Sequence, residues 1–162
     1  MILDELPPSI RCRDERPEDA PFLLALYRST RPDLAALGPA VEPLIRMQRD
    51  AREAQYRAAH PQADARILLL DEKPVGQIVL ASGPVETRLV DQAIRQESRG
   101  SGLGGKILHA LARQADREGR TIRLHVDNAN PAMRLYARHG FVVEGEDALR
   151  TAMVRPPSEV SR

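Results

Sequence analysis

The chain has 162 residues and a formal net charge of +1, with 24 Lys and Arg residues against 23 Asp and Glu residues. This is the length of one domain, and the charge balance excludes bulk electrostatic binding of nucleic acid, which needs a strongly basic chain. With three Tyr, two Phe and no Trp, the chain also lacks the aromatic platform on which single strands stack.

The patterns of cysteine, histidine and hydropathy indicate a soluble, reduced, cytoplasmic protein. A single cysteine, Cys12, excludes an intramolecular disulfide and is predicted to be a small buried residue. No two histidines have the spacing of a helical zinc site, so no metal is expected. The longest aliphatic run, Ile67 to Leu70, is far shorter than the roughly 20 residues that span a bilayer. The N-terminus does not resemble a signal peptide, and no membrane partner is expected.

The N-terminal half of the chain predicts one strand and two helices. Residues 1–8 end in two prolines and are predicted to be a flexible tail, and the alternating residues 10–13 predict a strand. A helix is expected to begin at Pro17, since proline and acidic residues suit the first turn, and to end at Arg31. Apolar residues at intervals of three and four predict a second helix over residues 42–59. Its predicted buried face consists of Leu44, Met47, Ala51, Ala54 and Ala58.

Strands and helices alternate in the second half of the chain. Three strands are predicted first, at residues 66–71, 75–82 and 86–95. The remaining elements are a helix from Leu103 to Gly119, a strand at 121–126, a short helix at 131–139, and strands at 141–143 and 149–154. Residues 156–162 are predicted to be a flexible C-terminal tail.

The order of these elements is β-α-α-β-β-β-α-β-α-β-β. It predicts a single mixed α/β domain (an α+β mixed sheet) over residues 9–155, in which helices flank a central sheet.

The most informative segment is Arg99 to Lys106, which has four glycines between a strand and a helix. Backbone N–H groups of such a loop can converge on an anion, and the start of the helix adds a partial positive charge. Four glycines are more than a tight turn needs, so we expect a diphosphate-binding loop.

Two general phosphate-binding patterns fit this loop incompletely. Gly100, Gly105 and Lys106 have the spacing of a Walker A loop, but Ile107 follows where that loop needs Ser or Thr to hold a magnesium ion.

The dinucleotide fingerprint is the second incomplete match. Gly100, Gly102 and Gly105 have its spacing, and Asp127 is an acidic residue at the expected distance. However, the polar residues 95–99 separate the glycines from the preceding strand. Only about 35 residues follow Asp127, too few for a second nucleotide-binding half.

A third pattern, Arg99-x-x-Gly102-x-Gly104, resembles motif A of the GNAT acyltransferase superfamily. The segment from Asn130 to Phe141 resembles motif B of the same family, and the resemblance covers roughly residues 10–155. It implies the GNAT fold with acetyl-CoA as cofactor. It also implies an N-acetyltransferase that transfers an acetyl group to a primary amine of a small molecule or protein, by direct attack in a ternary complex.

The resemblance also implies which residues hold acetyl-CoA. The loop backbone would cradle the pyrophosphate, and the end of the strand before it would pair with the pantetheine amides. That strand and strand 121–126 would splay apart to expose this backbone. The implied cofactor-binding residues are Ala93, Ile94, Arg95, Arg99, Gly100, Ser101, Gly102, Leu103, Gly104, Gly105, Asn130 and Tyr136.

Catalysis requires a base for the amine and a proton for the departing thiolate. The resemblance assigns the acid to Tyr136, since a phenol can donate to a developing thiolate. A carboxylate on the central strand would be the base, with Asp91 and Glu86 as candidates and Glu97 as a third.

Two other functions stay open at this stage. The chain could be a catalytically inactive GNAT-fold module that binds acyl-CoA, or a dinucleotide-binding oxidoreductase. By analogy with a family that often dimerises through its last strands, residues 149–154 are a candidate homodimer interface.

Overall fold

A seven-stranded mixed sheet forms the centre of the molecule, and the computed structural model describes residues 3–159. The strands are β1 (Ile10–Asp14), β2 (Asp64–Leu70), β3 (Lys73–Ser82), β4 (Glu86–Ile94), β5 (Thr121–Asp127), β6 (Val142–Glu146) and β7 (Arg150–Arg155). Their order in the sheet is β1-β2-β3-β4-β5-β7-β6. β4 and β5 run parallel, and all the other neighbours are antiparallel.

Five helices accompany the sheet in the described part of the chain. They are α1 (Ala20–Ser29), α2 (Pro32–Ala35), α3 (Glu42–Ala59), α4 (Leu103–Glu118) and α5 (Ala132–Arg138). The predicted mixed α/β class is confirmed. The short α2 was not predicted, because Pro32 was interpreted as the end of α1, whereas proline in a first turn also begins a helix. No helix within residues 3–159 has the length and apolarity that crossing a membrane requires.

The main core lies between the sheet and α4. The apolar residues Ile107, Leu108 and Leu111 of this helix are buried in one cluster with Ile78 and Leu124 of the sheet. On the other face of the sheet, residues of α1 form a smaller cluster with Ala93 and the inward residues of β2. The two helical layers therefore meet the sheet from opposite sides.

The buried face of α3 differs from the predicted one. Leu44 and Met47 are 37% and 61% exposed, and the three alanines of the predicted face are not buried either. Ile45, which is 1% exposed, anchors the helix instead. Arg52 and Tyr56 follow on the packed side, because long side chains can bury their apolar parts while their polar ends find partners.

A bulge in β4 reverses the facing of its side chains. Val79 pairs with Asp91 and Leu80 with Leu89, so Val90 is an extra residue between them. Such a bulge interrupts the two-residue alternation of a strand. Leu89 packs in the core with α4, whereas Asp91 contacts Arg52 of α3 on the other side of the sheet. The bulge therefore places the Asp91 carboxylate in the layer that contains α1 and α3.

Both predicted tails contact α4 where the structure describes them. Leu3 is 4% exposed within the main core, and its N–H donates to the side chain of Gln114 at 2.7 Å. At the other end, the N–H of Ser158 donates to Asp116 at 2.7 Å. The two proline pairs, Pro7-Pro8 and Pro156-Pro157, lie just before β1 and just after β7. Residues 1, 2 and 160–162 of these segments lie outside the described residues.

Gly76 of β3 lies close against the backbone at the end of β4. A Cβ at this position would lie 2.3 Å from the carbonyl oxygen of Ala93, so one of the two backbones would have to move. We expect Gly76→Ala to lower the free energy of unfolding by about 1–3 kcal/mol, as overpacking typically does. Urea denaturation monitored by circular dichroism measures this change.

Gly145→Ala is the matched control for this substitution. Gly145 also lies on a strand, but a Cβ there would meet no described atom within 4 Å. We expect its effect to stay within about 0.5 kcal/mol. Equal destabilisation by the two variants would contradict the importance of the close approach at Gly76.

Candidate active site

A gap opens between β4 and β5 because their ladder is short. Pairing extends only from Glu86 opposite Thr121 to Leu89 opposite Leu124. Residues 90–94 of β4 and 125–127 of β5 continue beyond it without pairing with each other. The separation leaves one edge of β4 open in the middle of the sheet, where the family resemblance implies such a gap.

The backbone groups at this open edge belong to Gln92 and Ile94. The N–H of Arg95 donates to the carbonyl of Val75 at 2.8 Å, so Arg95 and, two residues earlier, Ala93 direct their backbone toward β3. Because backbone direction alternates along a strand, Gln92 and Ile94 direct theirs toward the gap. Of the three predicted pantetheine-binding residues, only Ile94 therefore has the expected orientation, and Gln92 was missed.

The glycine loop begins α4 beside this gap. Gly100 and Gly102 have φ angles of +78° and +79°, which favour glycine, and a Cβ at either position would meet no described atom within 4 Å. The helical hydrogen bonds start with the N–H of Lys106 donating to Gly102 at 3.1 Å. The N–H groups before Lys106 at the start of the helix therefore have no intrahelical acceptor. The loop presents these donors beside open space.

Gly104 and Gly105 have a different role from the first two glycines. A Cβ on Gly104 would lie 3.4 Å from Leu135, and one on Gly105 would lie 3.6 Å from His139. These are ordinary van der Waals distances, so α5 packs against the first turn of α4 at both positions and an alanine would fit there.

Arg99, a predicted phosphate-binding cation, holds the loop in place. Its Nε donates to the carbonyl of Ile94 at 2.8 Å, and its Nη2 donates to the Ser29 hydroxyl at 3.1 Å. The loop is also braced by the Ser101 hydroxyl, which donates to the carbonyl of Ser98 at 2.7 Å. These bonds fix the loop relative to β4 and α1.

Gln92 contributes an unpaired polar atom to the same region. Among the buried side-chain nitrogen and oxygen atoms of residues 3–159, Gln92 Oε1 is the one that has no hydrogen-bond partner. Its Nε2 would lie 3.5 Å from a Cβ on Gly104, which places the amide between β4 and the start of α4. Because leaving a buried acceptor unpaired costs about 1–3 kcal/mol, this atom is an acceptor site for a donor from a water molecule or a bound ligand.

Tyr136 lies on α5, next to the gap. Asn130 orders the start of this helix by accepting the N–H of Ala132 at 2.9 Å. The ring of Tyr136 packs edge-on against Phe141, with ring centroids 5.7 Å apart. Burial, and then the negative charge of Asp91, raise the pKa of Tyr136 to about 12. The phenol therefore keeps its proton at neutral pH.

Asp91 lies at the bulge, mostly buried and ion-paired. Its carboxylate accepts a hydrogen bond from Arg52 Nη2 at 3.0 Å. Burial raises the pKa of Asp91 above its ordinary value, and the charge of Arg52 opposes part of that rise. The net effect makes Asp91 a stronger base than an exposed aspartate.

The other two candidate bases lie away from this pair. Glu86 begins β4, five residues before Asp91, and forms ion pairs with Arg123 and Arg88. At about 3.3 Å per residue, this separation is roughly 16 Å along the strand. Glu97 is exposed in the short 3-10 turn before the glycine loop. Of the three carboxylates, the structure thus brings only Asp91 into electrostatic contact with Tyr136.

Arg52 was not predicted from the sequence. Its guanidinium carbon lies 4.8 Å from the ring centroid of Tyr27 on α1 and 5.4 Å from that of Tyr56 on α3. Arg52 and Tyr56 are four residues apart, so they share one helix face, and this spacing was the available signal. The sequence did not single out Arg52, because the apolar residues of α3 predicted that a different face of the helix is buried.

These groups together can support a proton-coupled transfer. The loop offers N–H donors for an anionic group, and the open edge of β4 offers amide partners for an extended chain. Asp91 can accept a proton, and the protonated Tyr136 can donate one. The two groups are near enough for the charge of Asp91 to raise the pKa of the Tyr136 phenol.

The chain matches the family model of the acetyltransferase (GNAT) domain over residues 63–143, which is half of its length. No curated protein matches the chain significantly.

Several solved structures share the fold. An acetyltransferase from Thermus thermophilus is 26% identical, with a TM-score of 0.67, over 91% of this chain and 97% of that one. The PaiA N-acetyltransferase of Thermoplasma acidophilum in complex with coenzyme A is 21% identical, with a TM-score of 0.67, over 91% and 99%. The ribosomal L7/L12 alpha-N-protein acetyltransferase RimL in complex with coenzyme A is 15% identical, with a TM-score of 0.65, over 94% and 96%.

Proposed function

Because the chain belongs to the GNAT acetyltransferase family, we propose that it transfers the acetyl group of acetyl-CoA to a primary amine of a small molecule or a protein. The transfer is a direct attack within a ternary complex. The observation that carries this proposal is the position of the glycine loop, which begins α4 at the open edge between β4 and β5. Asp91 and Tyr136 lie at the same edge.

The residues at the open edge fit coenzyme A. The open space beside Gly100 and Gly102 can take a diphosphate on the backbone N–H groups of the loop. The N–H of Ile94 and the carbonyl of Gln92 can pair with an extended pantetheine arm, as a peptide adds to a sheet edge. By contrast, the Ile94 carbonyl already accepts from Arg99, and the Gln92 N–H donates to Asp91. An amide N–H of that arm is a suitable donor for the unpaired Gln92 Oε1. Asn130 contributes by ordering the start of α5.

Acetyl-CoA supplies the thioester, in which the carbon–sulfur bond breaks as the bond from carbon to the amine nitrogen forms. Asp91 accepts the proton that the acceptor loses, either from its ammonium form before the attack or from the amine nitrogen as the new bond forms, directly or through a water molecule. Tyr136 donates its proton to the departing sulfur. Tyr136 carries the proton that it donates at neutral pH, since its pKa is raised to about 12. The Arg52 guanidinium beside Asp91 favours the ionised carboxylate that can accept a proton, against the opposing effect of burial on the pKa of Asp91.

Ligand-induced stabilisation tests cofactor binding without knowledge of the acceptor. A ligand that binds only the folded state stabilises it, by about 2.7 kcal/mol at a concentration 100 times its Kd. We expect coenzyme A and acetyl-CoA to raise the Tm and NAD to leave it unchanged. A larger rise with NAD would instead support a dinucleotide-binding protein.

A panel of amines then tests catalysis. Release of free thiol from acetyl-CoA is followed with diverse small amines and with peptides that carry a free N-terminus or lysine. We expect acceptor-dependent release for at least one class. Binding of coenzyme A without any release across the panel would indicate an inactive module that only binds acyl-CoA.

A further inference from the structure

The guanidinium of Arg52 contacts three side chains, one of which is the Asp91 carboxylate. One of its Nη atoms donates to Asp91 at 3.0 Å, and the rings of Tyr27 and Tyr56 flank its guanidinium. A cation held over aromatic faces gains attraction beyond packing. The three partners come from β4, α1 and α3, so Arg52 joins the sheet to both helices.

The anchors of Arg52 are themselves fixed. Tyr27 is buried and packs with Ile45, the residue that anchors α3. Its hydroxyl also interacts with Arg31 at the end of α1. The guanidinium therefore belongs to a packed unit and not to a loose surface ion pair.

Few other charges face the Asp91 carboxylate. Tyr136 approaches it from α5 and Tyr56 from α3, and burial raises the pKa of both phenols. Asp127 of β5 and Arg150 of β7 act on Tyr56 from the far side of the gap. Among the described residues, Arg52 is the charged side chain that lowers the pKa of Asp91, and the backbone N–H of Gln92 lowers it further by donating to the carboxylate.

We propose that Arg52 is a positioning residue, which holds the Asp91 carboxylate in one orientation and in its ionised form so that it can accept the proton of the acceptor amine. This role rests on the proposed acetyl transfer, in which Asp91 is the base. Arg52 acts only through Asp91. The stacking on Tyr27 and Tyr56 sets where the guanidinium lies, and the bulge at Val90 brings Asp91 to it.

A titration of Asp91 tests this role without any substrate. The carboxyl carbon of Asp91 is followed by carbon-13 NMR against pH, and Asp91→Asn identifies its signal. Removing a neighbouring positive charge disfavours the ionised carboxylate, so the titration midpoint must rise. We expect Arg52→Met to raise it by about one pH unit or more.

Arg49→Met is the matched control. Arg49 lies one turn earlier on α3, with a side chain that is 18% exposed, and it pairs with Asp50 and Glu53 instead of Asp91. We expect its variant to leave the Asp91 titration unchanged. An unchanged midpoint in folded Arg52→Met would overturn the proposal. If Arg52→Met does not fold, Arg52→Lys decides, because it keeps the charge but loses the planar group between the rings, and a smaller rise is expected.

The pH dependence of catalysis provides the second readout. The acid limb of kcat/KM should move to higher pH in Arg52→Met by the same amount as the titration, while the Kd for coenzyme A stays unchanged. An acid limb in the wild-type position would overturn the proposal. If the wild type transfers acetyl to no amine, the proposed function fails, while the titration still decides whether Arg52 controls the ionisation of Asp91.

Discussion

We expect Tyr136→Phe to lower kcat for thiol release about 100-fold, the lower end of the usual contribution of a general acid. The lower end is expected because a thiolate leaves readily even without protonation. Burial also raises the pKa of the phenol to about 12, above that of an ordinary thiol, so transfer of the proton to the thiolate is uphill and the contribution of the acid is limited further. The Kd for acetyl-CoA should not change, since the ring and its contact with Phe141 remain. Steady-state thiol release and calorimetric titration measure the two quantities.

Phe141→Leu separates the hydroxyl of Tyr136 from the packing of its ring. This variant removes the edge-on ring contact at 5.7 Å but keeps the hydroxyl. It should destabilise the fold, by about 0.5–1.5 kcal/mol beyond the loss of buried area, and should reduce kcat much less than Tyr136→Phe does. Normal turnover of Tyr136→Phe would show that another group protonates the sulfur.

Gly102→Leu should weaken binding of coenzyme A about tenfold to 100-fold. Gly102 has a φ of +79°, and its missing side chain faces open space at the start of α4. A leucine would occupy that space and displace the diphosphate from the N–H groups. Each hydrogen bond to a charged group contributes about 1.5–3 kcal/mol, which sets the expected loss. Isothermal titration with coenzyme A measures it.

Gly119→Leu controls for backbone strain. Gly119 ends the same helix with a φ of +64°, and a Cβ there also meets no described atom within 4 Å. Both substitutions should therefore cost about 1–2 kcal/mol of stability from the left-handed conformation. Only Gly102→Leu should weaken binding. Equal loss of affinity in both variants would mean that the loop acts through helix stability and not as an anion cradle.

Much of the fold could be predicted because its signals are local. The apolar residues of α4 repeat at helical spacing in the sequence, and the helix ends at Gly119 as predicted. The buried face of α3 could not be predicted in this way, because Arg52 is buried through partners on other elements. The bulge at Val90 leaves no trace in the sequence, since it exists only in the register between β3 and β4.

The candidate site also contains residues that the sequence identifies and residues that it does not. The glycine loop and Tyr136 lie in short motifs, so their neighbours in the chain identify them. Asp91 and Glu86 are equally plausible bases in the sequence, and the structure separates them. Asp91 meets Arg52 and acts on Tyr136, whereas Glu86 lies at the start of β4, paired with Arg123. The partners in the first of these pairs are 39 positions apart, a contact that depends on tertiary packing.

The short ladder between β4 and β5 also divides the sheet into two halves. Strands β1 to β4 form one antiparallel half, and β5, β7 and β6 form the other. Only four residue pairs, from Glu86 to Leu89 on β4, join the halves through strand pairing. A cofactor that pairs with β4 and contacts α5 would add a second connection across this seam. In the proposed enzyme, the acetyl donor would therefore also serve as a reversible cross-link between the halves of the domain.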